Sequence, residues 1–273
     1  MVNKIEPYKG IAEIYDEIRP SYPEKLIEDI IFKTDLNLNN RILEIGAGTG
    51  KATVQFAKKG FAINAIELGE EMAAILKKKC TSYLKVSLDI APFEQWESDN
   101  NEKFHMIYSA QAFHWLDKNI KYKKCHELLK DNGFLVLFWY TSSNDELFET
   151  KGIRENIDSI VNKYVSSYDI ESEKPQRREH DGHSEDDERK SEIEASGLFE
   201  LVEKIEYTEE TKNNAKQYLK VLNSVPAFAS KVDGLNQVAV ENMNREIEEL
   251  IDSNGGYVGA LFNFTLYIAR KIS

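Results

Sequence analysis

Residues 41–50, Arg-Ile-Leu-Glu-Ile-Gly-Ala-Gly-Thr-Gly, constrain the fold of this 273-residue chain more than any other segment. Arg41 to Ile45 read as a short buried strand, and Gly46, Gly48 and Gly50 follow at alternate positions before a helical pattern begins. Only glycine lets a backbone turn this tightly and come this close to a ligand with no Cβ in the way. The arrangement predicts a nucleotide-like cofactor lying across the carboxyl end of the first strand of an α/β sheet. Dinucleotide dehydrogenases favour G-x-G-x-x-G with a diphosphate on the helix N-terminus. Here the spacing is Glu44-x-Gly46-Ala47-Gly48-x-Gly50. Glu44 would oppose a diphosphate but would suit a cofactor carrying an ammonium and a sulfonium.

From Arg41 to Tyr140 strand-like and helix-like segments alternate, which predicts βαβ units and a mostly parallel sheet. Strands are expected at Arg41–Gly46, Ala62–Glu67, Tyr83–Ser87, His105–Ser109 and Phe134–Tyr140. Helices are expected near Ala52–Lys58, Glu70–Lys79 and Asn119–Leu129, with Asp131-Asn-Gly133 turning into the fifth strand. Ahead of this unit, Pro20 and Pro23 start a helix over Glu24–Lys33. Beyond Tyr140 the pattern predicts a long amphipathic helix at Asp145–Tyr168 and a charged surface loop at Ile170–Lys190. A short helix at Ser191–Ser196, a strand at Phe199–Thr208, helices at Asn213–Leu222 and Gln237–Asp252, and a final strand at Tyr257–Arg270 complete the order. The expected divisions are 1–40, a helical segment closing the cofactor site; 41–140, the cofactor-binding core; 141–197, a helical insertion with the charged loop; and 198–273, the last two strands with an inserted helical cap.

Glu44-Ile-Gly-Ala-Gly-Thr-Gly50 resembles the first motif of the class I S-adenosylmethionine-dependent methyltransferases. The resemblance implies a Rossmann-like seven-stranded sheet with helices on both faces and a helical cap after the fifth strand. In that family the last strand inserts between the fifth and the sixth. Glu67-Leu68-Gly-Glu-Glu-Met72 resembles the second motif, whose carboxylate after strand two holds the ribose; its place ~20 residues beyond the glycines agrees. Resemblance places Asp89 at the adenine amine, with Ile90 offering a backbone amide and Met72 and Leu88 sandwiching the ring. Asp89 reads equally as a helix cap before Pro92.

The fourth strand runs out through Ser109 into Gln111-Ala-Phe-His-Trp115, a string resembling the fourth motif of the trans-aconitate and juvenile-hormone-acid methyltransferases. A segment leaving the strand beside the glycine loop must line the cofactor crevice. The Asn/Asp-Pro-Pro-aromatic motif of many nucleic-acid base methyltransferases is not there. His114 can serve as a base on substrate or only fix the loop by hydrogen bonding. Trp115 can pack, or face a sulfonium. Tyr15-Asp-Glu-Ile-Arg-Pro-Ser-Tyr-Pro23 resembles the string preceding the first motif in the same group. The guanidinium fork of Arg19 suits the cofactor's carboxylate and Tyr15 and Tyr22 can close over the methyl group, while a plain helix start with packing aromatics is the other reading. Asn223 and Ser224, ending a helix in the late insertion, are candidate substrate contacts.

A formal charge of −12 argues against a protein that grips nucleic acid by neutralising phosphates. The Lys118–Lys124 run reads as a solvated helix face rather than a phosphate patch. No apolar run approaches the ~20 residues of a membrane span, and the first residues lack a signal-peptide apolar region, so a cytoplasmic protein is expected. Cys80 and Cys125 stand alone and read as buried reduced thiols. His180 and His183 near Asp181 and Glu185 raise a metal site, but the acidic context favours a solvated loop.

The expected activity is therefore methyl transfer from S-adenosylmethionine to a small-molecule acceptor, a carboxylic acid among the candidates, with no metal, nucleic acid or membrane partner. Whether the chain acts as a monomer or a homodimer stays open. Two other classes share these features: a nicotinamide-dependent oxidoreductase, and a non-catalytic binding subunit of the same fold.

Overall fold

The computed structural model describes residues 10–142, 150, 152–167 and 182–272. Two short helices, α1 (Ala12–Ile18) and α2 (Glu24–Lys33), precede the sheet. The alternating region then forms β1 (Arg41–Ile45), α3 (Lys51–Lys58), β2 (Ala62–Glu67), α4 (Glu70–Lys79), β3 (Val86–Ile90), β4 (Phe104–Ala110), α5 (Lys121–Leu128) and β5 (Leu129–Ser142). After it come α6 (Ile153–Ser167), α7 (Gly182–Ala195), β6 (Phe199–Asn213), α8 (Ala215–Asn223), α9 (Pro226–Val232), α10 (Gln237–Ser253) and β7 (Val258–Lys271). The helices α1 and α9 were not expected from the sequence.

The seven strands form one sheet in the order β3-β2-β1-β4-β5-β7-β6, with β7 between β5 and β6 as the resemblance implies. β1 pairs in parallel with β2 (Leu43 opposite Asn64) and with β4 (Leu43 opposite Ile107). The strand order therefore reverses at β1, and the crevice outside the carboxyl ends of β1 and β4 is where such a sheet takes a ligand. Ile42, Leu43 and Ile45 are fully or almost fully buried, as a central parallel strand covered on both faces requires. Each such side chain contributes about 1.5–3 kcal/mol by leaving water.

Three expectations need correction. The third strand begins at Val86 rather than Tyr83, because the Tyr83 amide closes the end of α4 on the Cys80 carbonyl (2.9 Å). Asp89 and Ile90 thus lie within β3, with Glu67 opposite Ile90. Asp131-Asn-Gly133 is a bulge inside β5: pairing with β4 jumps from Phe104–Leu129 to Met106–Phe134, and Asn132 takes a left-handed φ of 60°. The last part of the expected charged loop, Gly182 to Lys190, belongs to the helix α7. Its charges are arranged at helical spacing, Lys190 with Glu194 and Arg189 with Glu192, and the fully buried Ile193 anchors it. Residues 170–181 lie outside the described residues, as do 145–149 of the long helix expected at 145–168.

By internal contacts the chain divides into two units, Met1–Thr141 with His180–Tyr207 and Phe264–Ser273, and Ser142–Glu179 with Thr208–Asn263. The first holds the sheet core, built on Leu43, Ile45, Ile107, Leu135, Leu137 and Tyr267. The second has its own core, in which Ile153, Ile157 and Val161 of α6 meet Met243, Ile247 and Ile251 of α10. Asn214 caps α8 through a reciprocal pair with Gln217, and Asn236 caps α10 by accepting from the Ala239 amide.

Candidate active site

The glycine loop leaves β1 through Gly46 and Gly48, both with left-handed φ (68° and 56°). At Gly46 a Cβ would stand 2.3 Å from the Ala112 Cβ, so the loop and the segment after β4 touch where no side chain fits. The Gly46 and Ala47 amides both donate to the Ile66 carbonyl (2.9 and 3.0 Å), and the Gly48 amide donates to a Glu67 carboxylate oxygen at 2.6 Å. The other Glu67 oxygen accepts from the Gly69 amide at 2.8 Å. One carboxylate at the end of β2 thus fixes its own turn and the loop after β1.

Glu44 lies under the loop, 1% exposed. The Thr53 and Tyr108 hydroxyls both donate to its Oε2, at 2.6 and 2.7 Å. Burial pushes its pKa from 4.5 up to about 7; the two hydroxyls oppose the rise and the Glu67 charge adds to it.

Above these residues opens a cavity of about 380 Å³. Of the residues picked out from sequence, Gly46, Ala47, Gly48, Glu44, Glu67, Leu68 and Met72 lie on its wall, and Tyr15, Tyr22, Gln111 and Trp115 line it as well. Tyr22 stands edge-on to Phe138 at 4.7 Å between ring centres. Gln111 adopts φ 61° and donates from its side chain to the Tyr140 carbonyl at 2.8 Å.

Nine candidates are not on that wall; one of them, Leu88, packs instead against the cluster of Ala65 and Leu76. Gly50 caps α3 with a left-handed φ of 83°, where a Cβ would press on Leu76 at 3.0 Å, so its role is to bring two helices together. Arg19 is exposed beside the Tyr15 ring at 5.4 Å. Asp89 accepts the Trp96 indole N–H at 2.8 Å, and Ile90 is 54% exposed. Ser109 donates to the Ile45 carbonyl at 2.8 Å and tightens β1 against β4. His114 lines a separate, smaller recess. Asn223 and Ser224 spend their side chains on their own helix, donating to the Leu219 and Val221 carbonyls at 2.7 and 2.6 Å. Terminal carbonyls of a helix need donors, and these two supply them.

The wall also includes Lys51, Phe93, Glu94, Leu116 and Tyr140, which were not singled out in the sequence. Their signal was positional: Tyr140 lies near the carboxyl end of β5, and the others follow the carboxyl end of a strand or the glycine loop, where the crevice must be. Lys51, first in α3, donates to the Asp16 backbone carbonyl at 2.8 Å. The Asp16 carboxylate accepts from Thr49 at 2.6 Å and from Lys79, which ties α1 to α3 and α4. Burial raises the Asp16 pKa, but the hydrogen bonds from Lys79 and Thr49 and the charges of Lys79 and Lys51 outweigh it, and the net result is a lowering.

Among the described residues no group of three or more His, Cys, Asp or Glu could hold a metal ion. His180 and Asp181 fall outside those residues, as do the side chains of His183 and Glu185. Among the described residues no helix is long and apolar enough to cross a membrane. Cys80 and Cys125 are both buried and free.

With this geometry established, similarity to known proteins is informative. An uncharacterised methyltransferase of Schizosaccharomyces pombe is 32% identical over 133 residues, 48% of this chain and 51% of the relative. A Saccharomyces cerevisiae protein classed as an S-adenosylmethionine-dependent methyltransferase is 28% identical over 129 residues, 46% of this chain and 44% of the relative. The chain thus spans about half the length of the curated relatives it matches. A solved structure from Anaeromyxobacter dehalogenans, described as a type II methyltransferase, superposes with a TM-score of 0.63 at 16% identity, covering 92% of this chain and 97% of that one. The YcgJ protein of Bacillus subtilis superposes at 0.53 with 15% identity over 92% of this chain and all of that one. These likenesses identify the fold as that of the methyltransferases, and residues 42–133, which hold the glycine loop, Glu67 and the segment after β4, match the methyltransferase domain family.

Proposed function

We propose that this chain is an S-adenosylmethionine-dependent methyltransferase acting on a small molecule. The observation that carries the reading is the Glu67 carboxylate, which accepts from the Gly48 and Gly69 amides at the mouth of the cavity. A carboxylate held in this way at the end of β2 is suited to the paired ribose hydroxyls of a nucleoside. Leu68 and Met72 offer an apolar wall to the base, and the glycine loop admits close approach of the amino-acid portion. Glu44, with its pKa near 7, carries part of a negative charge below the loop at neutral pH, which suits a cationic cofactor and opposes a diphosphate. The residues present therefore fit S-adenosylmethionine, whose sulfonium supplies an activated methyl group when bound.

The chain's own contribution is orientation and the exclusion of water. Tyr15, Tyr22, Trp115 and Tyr140 form an aromatic wall around the space left for the acceptor. Such a wall holds nucleophile and methyl in line and keeps the site dry. The charged residues on the wall are Glu44, Glu67, Glu94 and Lys51, and Lys51 is already engaged by Asp16. That balance favours a neutral attacking atom (amine, hydroxyl or carbon) over a carboxylate oxygen in the main cavity. The net charge of −12 supports a small acceptor over a nucleic acid.

Neither the nicotinamide-dependent oxidoreductase nor the non-catalytic subunit is favoured by the domain match or by the relatives. Calorimetry of the purified chain with S-adenosylmethionine and with NAD separates the first alternative: binding of NAD alone would overturn the proposal. Transfer of a labelled methyl group from S-adenosylmethionine to low-molecular-weight compounds of a lysate separates the second. Binding without transfer to any compound would count for the subunit.

A further inference from the structure

A second, smaller recess of about 50 Å³ shares Gln111, Ala112 and Tyr140 with the main cavity and is otherwise walled by different residues. Its polar lining comes from His114, Thr141 and Arg189 as well as Gln111. No role is yet attached to Arg189. It projects from α7, its side chain is only 12% exposed, and its guanidinium lies 5.8 Å from the centre of the Trp139 ring.

The charges around Arg189 do not balance. The nearest carboxylate, Glu192, is 3.7 Å from the guanidinium and is held more closely by two lysines, the fully buried Lys121 at 2.8 Å and Lys118 at 3.3 Å. Lys118 also meets Glu188 at 3.4 Å. Among the described side chains, three cations (Lys118, Lys121 and Arg189) therefore share two carboxylates where α7 meets the start of α5. A guanidinium held in a mostly buried position, with its main counter-ion committed elsewhere, favours an anion. The imidazole of His114 lines the same recess and is a donor group for an anion.

We propose that the recess between His114 and Arg189 receives a carboxylate of the methyl acceptor, held as an anchor and left unmethylated while another atom of the acceptor attacks in the main cavity. A volume of about 50 Å³ takes a carboxylate and little more. The shared walls Gln111 and Tyr140 set the distance between anchor and nucleophile. Placing the anion here answers the acidic lining of the main cavity, which disfavours an anionic nucleophile. His114 then acts in acceptor recognition. The assignment of the anion to an acceptor rests on the methyltransferase reading; the binding of an anion does not.

The test uses acetate as the probe and the full chain labelled with 15N-histidine. Titration with acetate is expected to give a saturable shift of the assigned His114 ring signals, and methyl acetate is expected to give none. Arg189→Gln should weaken the acetate response by about tenfold or more, and Arg189→Lys, which restores the charge but not the fork, should recover part of it. Absence of an acetate shift, an equal shift with methyl acetate, or an equal response in Arg189→Gln would overturn the site. This arm needs no methyl donor, so its failure leaves the methyltransferase proposal standing. In the lysate labelling assay the product is expected to be an acid retained on an anion exchanger, formed about tenfold less by Arg189→Gln than by the parent chain at limiting acceptor. A neutral product, or undiminished labelling by the variant, would overturn the acceptor assignment, whereas no S-adenosylmethionine binding at all would overturn the methyltransferase reading instead.

Discussion

The carboxylate of Glu67 accepts a hydrogen bond from the Gly48 amide at 2.6 Å, so the end of β2 holds the loop that leaves β1. Both residues stand on the wall of the cavity. A residue expected only to face the cofactor therefore also shapes the loop that receives it.

Replacing Glu67 tests both roles. Glu67→Ala removes the acceptor of two backbone amides and of the ribose hydroxyls together, and is expected to weaken S-adenosylmethionine binding by about 1–3 kcal/mol. Glu67→Gln should fare little better, because its amide nitrogen must face one of the two N–H donors. Calorimetric titration of both variants reads this directly, and parental affinity in either would remove Glu67 from the site.

Glu44 makes stability depend on pH with a definite sign. Its folded pKa of about 7 lies above the ordinary 4.5, so between these values the folded protein binds a proton that the unfolded chain has released. Stability should then fall as pH rises through this window and level off above it, by about 3 kcal/mol at ~1.4 kcal/mol per pH unit. Glu44→Gln keeps an oxygen for Thr53 and Tyr108 and carries no charge, so its difference from the parent should grow in its favour from pH 5 to pH 8. Urea unfolding of both proteins across that range measures it; a constant difference would mean that Glu44 stays ionised when buried.

The sequence was legible where backbone constraint is local. Three alternating glycines after an apolar strand, and a carboxylate one βαβ unit later, locate the crevice without any tertiary information. Side-chain partners were less legible, because they depend on packing between distant segments. Asp89 occupies the expected strand end, yet Trp96, seven positions on, folds back to donate to it. Ser109 sits at the crevice by chain order but donates across to the Ile45 carbonyl of β1. The first part of helix α7 was read as a loop because its partners, Lys118 and Lys121, lie some 70 residues earlier, so no local periodicity reports them. Lys51, Glu94 and Tyr140 carry no motif, and only the rule that ligands gather at strand carboxyl ends could have found them.

The contact between Gly46 and Ala112 predicts a separable steric effect. Gly46→Ala introduces a Cβ 2.3 Å from that of Ala112 and also forces a non-glycine residue into φ 68°. The backbone term costs about 1 kcal/mol or more and has no remedy nearby. The clash does have one: Ala112→Gly removes the opposing atom. The double variant should therefore regain part of the stability lost by Gly46→Ala, with a coupling of about 1 kcal/mol or more in a double-mutant cycle of urea midpoints. Additive losses would show that the loop relaxes away from Ala112 and that the close approach is not enforced.

Asp16 predicts a change in dynamics larger than its change in stability. Its carboxylate gathers Thr49 from the glycine loop, Lys51 from α3 and Lys79 from α4, and so holds α1, which brings Tyr15 to the cavity wall. The group is partly exposed, so solvent screening limits the stability lost in Asp16→Ala to about 1 kcal/mol or less. Releasing α1 should nevertheless raise hydrogen exchange across residues 12–18, since the Gly10 amide bond to Glu71 at 2.6 Å, near its other end, is too local to replace the clasp. S-adenosylmethionine binding should weaken in parallel, because Tyr15 no longer closes its side of the site. The same exchange should rise in the parent as pH falls through the lowered pKa of Asp16, where protonation removes the carboxylate charge. Exchange in α1 that stays at the parental rate in Asp16→Ala would show that apolar packing, rather than this carboxylate, keeps the helix over the cavity.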